Sequence, residues 1–257
     1  MPVELSQNRR RLLGRLRRRR QREREGCVLV EGVRSVSEAL DAGAEPVFAV
    51  VSPALRENEA GRALAARLEA LCDTSLVEDP DLGELSDTDH PQGVLLVTRE
   101  PSDDTELLPS HGRVLVLDAV QDPGNLGTLV RSAVAFGVAG VICLDGTVDP
   151  WSPKAVRASA GNAFRIPIRK ASAEAAATEL RRAEAVVFVA AADGRPAREA
   201  FGTDHPLAAL VVGNEGAGVR DELRSAASGT VAVPMAGSAE SLNVGVAGSI
   251  LMYEWTR

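Results

Sequence analysis

The chain has 257 residues, 45% of them hydrophobic and 25% charged, which is ordinary for a globular protein and enough for two modest domains or one large one. No apolar run approaches the roughly 18 residues of a membrane span, and the arginine-rich N-terminus lacks the apolar stretch of a secretory signal, so a cytoplasmic protein with no membrane partner is expected. The net charge of -7 argues against a nucleic-acid partner only as an average, because residues 9–24 hold ten arginines and one glutamate, net +9, and leave about -16 for the rest.

That run, RRRLLGRLRRRRQRER, is either a solvated or disordered tail or an arm whose guanidinium groups grip RNA phosphates, and its charge pattern does not choose between them. From Cys27 the order is a strand (CVLVEG), a helix ending at Gly43, a strand (PVFAVVS), a helix over 57–71, a short strand (SLVE), a turn with a helix start (DPDLGEL) and a closing strand (PQGVLLVT). These make a small α/β domain over 1–100. Residues 101–112, rich in Pro, Ser and Asp, read as a linker. From 113 to 257 the strands RVLVLDAV, GVICLD, AFRIPI, AVVFVAA, LAALVVG and VAVPM alternate with helices, and their Val, Leu and Ile content predicts a parallel sheet covered on both faces. Cys27, Cys72 and Cys143 are odd in number and widely spaced, which fits reduced thiols. His90, His111 and His205 stand apart from them and from one another, so no metal site is expected.

Three loops follow strands of the second domain, where open α/β sheets bind ligands. The first, LDAVQDPGNLGTLVRSAVAFG (117–137), leads into a helix with Asn125 as its expected N-cap and an apolar stripe through Leu126, Leu129, Val130, Ala133 and Val134. Arg131 lies off that stripe and is either a solvated arginine or a side chain reaching back toward the strand ends. The second, LAALVVGNEGAGVRDEL (207–223), carries three glycines in six residues, but neither a dinucleotide fingerprint nor a phosphate loop. Glu215 in it is either an answer to the next helix dipole or a functional carboxylate. In the third, VAVPMAGSAESLNVGVAGSILMYEW (231–255), Ser241 is the expected cap of a closing helix that Val246, Ala247, Ile250, Leu251 and Tyr253 make largely buried. Ser241 and Asn243 would stand at its mouth.

In order and spacing these segments resemble the three motifs of the SpoU (TrmH-like) RNA ribose methyltransferases of the SPOUT superfamily. N-x-G-x-x-x-R falls on Asn125, Gly127 and Arg131, G-x-E-x-x-G on Gly213, Glu215 and Gly218, and S-L-N on Ser241, Leu242 and Asn243. Residues 5–97, with LVEGVRSVSEAL and HPQGVLLV, are similar to the family's N-terminal substrate-binding domain, although the arginine run is denser than the family pattern. The resemblance implies an α/β fold in which a C-terminal parallel-sheet SPOUT domain with a trefoil knot follows a small RNA-binding domain, in a homodimer with active sites near the subunit interface. It implies methyl transfer from S-adenosyl-L-methionine, without a metal, to a ribose 2'-hydroxyl of structured RNA, ribosomal RNA being favoured slightly over transfer RNA. The same motifs would serve an antibiotic-resistance enzyme acting on ribosomal RNA, and the same fold a catalytically silent ribosome-assembly factor. By carry-over, Gly213, Asn214, Val233, Met235 and Leu242 hold the cofactor, and Asn125, Arg131, Glu215, Ser241 and Asn243 line the reacting centre. The family proposal makes Arg131 the base, but a guanidinium with a pKa above about 12 scarcely releases its proton, so Arg131 is expected to grip the phosphate beside the target ribose.

Overall fold

The arginine run is folded. In the computed structural model, which describes residues 4–102, 106–201, 205–237 and 241–257, it forms two helices, α1 (Gln7–Leu16) and α2 (Arg19–Glu25). Ser6 caps α1 by accepting from the Arg9 N–H, and Leu13 and Leu16 point into the same core as Leu29, Phe48, Leu95 and Val97. Gly26, at φ +58°, ends α2 in the left-handed conformation that glycine adopts at least cost. The disordered-tail reading is thereby excluded: two leucines three apart give the run an apolar edge to bury.

The first unit spans Met1–Pro101 and also takes in Trp151–Arg165. Beyond the two helices it contains β1 (Cys27–Glu31), α3 (Val33–Asp41), β2 (Pro46–Val51), a 3-10 turn, α4 (Glu59–Leu71), β3 (Asp73–Leu76), α5 (Asp79–Leu85) and β4 (Val94–Arg99). Its sheet runs β1-β4-β2-β3, with β4 antiparallel to both neighbours and β3 parallel to β2. β3 begins two residues before the expected SLVE strand.

The second unit comprises Ser102–Pro150 and Ile166–Arg257. Residues 103–105 of the expected linker and 238–240 of the third loop lie outside the described residues. The elements are β5 (Gly112–Leu117), α6 (Pro123–Ala135), β6 (Gly140–Leu144), then α7 (Pro153–Ala158), which belongs to the first unit, and β7 (Ile168–Ala171). They continue with α8 (Ala173–Arg182), β8 (Val186–Pro196), α9 (Ala197–Ala200), β9 (Leu207–Val212), α10 (Asp221–Arg224), β10 (Gly229–Ala232) and α11 (Val244–Trp255). The six strands are parallel in the order β10-β8-β9-β5-β6-β7. Val114, Val116, Val187, Ala209 and Val211 bury one face of the sheet beneath Ala176, Ala177 and Leu180 of α8. Across the other face α6 and α11 approach so closely that a Cβ on Gly248 would lie 2.3 Å from Leu129 Cδ2.

Three local expectations are corrected. Asp122, not Asn125, caps α6: it accepts from the Asn125 N–H at 2.9 Å, and Pro123, pre-set for the first helical position, starts the helix three residues earlier. Asn243, not Ser241, caps α11, accepting from Gly245 and Val246. Val246, Ile250 and Tyr253 are 47%, 36% and 46% exposed rather than buried, because Gly245, Gly248 and Met252 form the face that packs inward. All three cysteines are free thiols, and burial pushes that of Cys143 up to about 12. No helix among the described residues is long and apolar enough to cross a membrane.

Candidate functional site

Since β5, β8, β9 and β10 are parallel neighbours, their carboxyl ends emerge on one edge of the sheet, and the three motif loops with them. The loop after β9 is a closed turn. Asn214 and Gly218 exchange both backbone hydrogen bonds at 3.0 Å, while the Asn214 side-chain oxygen accepts from the Gly216 and Ala217 N–H groups. A Cβ on Gly213 would stand 2.4 Å from the Gly218 carbonyl carbon, so only glycine fits there.

From this turn a chain of amides ties the three loops together. Asn214 Nδ2 donates to the Ala119 carbonyl at 2.9 Å, joining the β9 loop to the end of β5. Asn125 Nδ2 donates to Glu215 Oε1 at 2.9 Å, and Asn125 Oδ1 accepts from Asn243 Nδ2 at 2.9 Å. The Asn125 amide can satisfy both neighbours in one orientation only, because a flip would set its donor against that of Asn243 and its acceptor against the Glu215 carboxylate. Asn243 in turn caps α11, so the relay ends on a helix.

Beside the relay lies an open cleft of about 200 Å3. Gly213, Asn214, Glu215, Val233, Met235, Ser241 and Leu242 all line it, and its inner wall is Ala247, Gly248 and Leu251 of α11. Glu215 is the one charged residue among the described lining. Of the expected residues, the fold therefore links Asn125, Glu215 and Asn243 by hydrogen bonds and sets the five cofactor candidates and Ser241 around one cleft. It leaves Arg131 elsewhere: exposed on α6, outside the cleft lining, and in no hydrogen bond or ion pair among the described residues.

Two features escaped the sequence reading. The far wall of the cleft is Ala190, Ala191 and Ala192 of β8, where pairing with β10 jumps from Val189↔Thr230 to Arg195↔Val231. The five residues skipped by that jump form a bulge, and Gly194 closes it so tightly that a Cβ would meet the Val231 backbone at 2.6 Å. The available signal was a fourth parallel strand ending at the same edge. The second feature is Asp118, fully buried at the end of β5. Its oxygens accept from the Arg220 main-chain N–H at 2.8 Å and from Arg220 Nε at 2.6 Å, and Arg220 Nη2 also reaches the Asp145 carbonyl at 2.8 Å. Arg220 thus anchors the far end of the β9 loop, and two residues 102 apart give no local signal of it.

An open apolar cleft lined in part by Gly213 and Asn214, with a single carboxylate among its described lining, suits a nucleoside carrying a positive sulfonium. Residues 112–253 match the model of the SpoU rRNA Methylase family, and residues 8–96 that of the MRM3-like substrate binding domain. The chain is 34% identical over 239 residues to the 23S rRNA (guanosine(2553)-2'-O)-methyltransferase RlmP of Bacillus subtilis (strain 168), covering 93% of this chain and 92% of that one. It is 33% identical over 251 residues to the 23S rRNA (uridine(2479)-2'-O)-methyltransferase of Streptomyces viridochromogenes, covering 93% and 85%. The solved SpoU methyltransferase AviRb from Streptomyces viridochromogenes, in complex with the cofactor AdoMet, superposes with a TM-score of 0.82 at 29% identity, over 98% of this chain and 97% of that one.

Proposed function

Because the chain belongs to the SpoU rRNA Methylase family, we propose that it transfers a methyl group from S-adenosylmethionine to a ribose 2'-hydroxyl of ribosomal RNA. The observation that carries this reading is the Asn243–Asn125–Glu215 relay standing beside the apolar cleft. When bound, S-adenosylmethionine supplies a methyl group already activated on sulfur. What remains for the protein is placement, which can contribute about 7 to 11 kcal/mol, and help with one proton, worth roughly 10² to 10⁴ in rate. Gly213, Asn214, Val233, Met235 and Leu242 hold the cofactor through backbone edges and apolar contact. Glu215 would offer its negative charge to the sulfonium of the bound cofactor, and Asn125, Ser241 and Asn243 would orient the ribose. Arg131, which engages no other side chain among the described residues, binds the phosphate next to the target nucleotide and lowers the pKa of the hydroxyl, whose proton passes to solvent.

The test is methyl transfer to in-vitro transcribed 23S rRNA. Arg131→Ala should lower turnover by about 10² or more while S-adenosylmethionine affinity, measured by calorimetry, stays within about twofold. A matching loss of cofactor affinity would overturn the division of labour, and a wild-type chain that binds RNA without methylating it would overturn the enzyme reading.

The homodimer, the knotted closure of the C-terminal domain, the domain roles of 1–100 and 113–257, and cytoplasmic location belong to the same proposal. Val246, Ile250 and Tyr253, spaced i, i+4 and i+7, expose an apolar stripe along α11 that a second copy would cover. Sedimentation equilibrium should give a dimer for the wild type and a monomer for V246D/Y253D; a monomeric wild type refutes it.

A further inference from the structure

The ten arginines of residues 9–24 are not equivalent once folded. Arg9 pairs with Asp73 at 2.7 Å and lies over the Phe48 ring, and Arg22 is buried, donating to the Leu16 carbonyl at 2.7 Å. Arg10, Arg17 and Arg19 face Asp81, Asp87 and Glu23 at 3.7, 3.0 and 2.9 Å, and both Arg15 and Arg24 reach Glu25 at 3.4 Å. Only Arg11, Arg18 and Arg20 present exposed guanidinium groups with no hydrogen bond or ion pair among the described residues.

The difference matters for a polyanion. A phosphate approaching a paired guanidinium must also approach its carboxylate, so attraction and repulsion largely offset. An unpaired guanidinium meets no such opposition and releases condensed counterions from the nucleic acid in full. Outside residues 9–24 the chain carries about -16, so these helices hold a concentrated positive charge on an otherwise acidic chain. We propose that Arg11, Arg18 and Arg20 form a phosphate-contact surface on the first unit, gripping the ribosomal RNA backbone, while the acid-paired arginines build the unit itself. The identity of the polyanion rests on the methyltransferase reading.

Filter binding of in-vitro transcribed 23S rRNA between about 50 and about 200 mM salt tests this on the full chain. Two variants are compared with the wild type: R11Q/R18Q/R20Q, and R10Q/R17Q/R19Q, which removes the same charge from paired positions. For the first, the slope of log affinity against log salt should become shallower by roughly 2 to 3, and for the second by less than about 1. Equal slopes for wild type and R11Q/R18Q/R20Q, or equal losses in the two variants, overturn the proposal. Methylation by the wild type with no slope change removes this surface and leaves the enzyme standing. A slope change with no methylation by the wild type does the reverse.

Discussion

Both units end their first strand on a buried carboxylate followed by a residue at positive φ, and the two turns are built differently. After β1, Glu31 is 3% exposed and accepts from the hydroxyls of Ser86 and Thr88 and from Arg157 at 3.3 Å; Gly32 then takes φ +92° at no steric cost. After β5, Asp118 is fully buried against Arg220, and Ala119 takes φ +57°, which costs a residue with a Cβ about 1 to 2 kcal/mol. Such strain persists only where the surroundings over-determine it. Here the Asn214 side chain donates to the Ala119 carbonyl, and the Ala119 N–H donates to Thr147 Oγ1 at 3.1 Å. The comparison teaches that the first turn is framework, whereas the second is held in place by the residues that shape the cleft.

Breaking each carboxylate cluster should separate the two. Arg220→Ala leaves Asp118 buried with only a main-chain partner, so we expect a loss of about 3 kcal/mol in thermal or urea unfolding. It should also weaken S-adenosylmethionine binding at least tenfold by calorimetry, since the β9 loop loses its anchor. Glu31→Gln removes the charge facing Arg157 and should cost about 2 kcal/mol, with cofactor affinity unchanged. Equal cofactor defects in both variants would erase the distinction.

Smaller effects sharpen it. Gly32→Ala forces a Cβ into the left-handed region 3.1 Å from Gln92 Oε1 and should lower stability by about 1 to 2 kcal/mol. Ala119→Gly relieves strain but frees the unfolded chain, so its stability should stay within about 0.5 kcal/mol of the wild type. Melting curves of the two variants decide the matter, and a neutral Gly32→Ala would show that the first turn is not what the φ value implies.

Much of this was legible in residue order. Strands of a parallel sheet are covered on both faces, so they appear as apolar runs such as VLVL and LAALVV, and the three motifs were legible through their resemblance to the SpoU family. Helix starts were less legible. Asp122 and Asn125 both favour capping, and the choice fell to Pro123, whose fixed φ begins the helix at once.

Residue order by itself therefore determined the strands, the loops that follow them and the residue types available at the sheet edge, because periodicity and turn chemistry act over a few residues. Only the tertiary structure decided which arginines meet a carboxylate, that Ala190–Ala192 complete the cleft, and that Arg131 and the Val246–Tyr253 stripe face outward. Those outcomes join residues such as Arg9 and Asp73 or Asn125 and Asn243, 64 and 118 positions apart, and electrostatic and packing forces act between them only once the chain has brought them within a few ångströms.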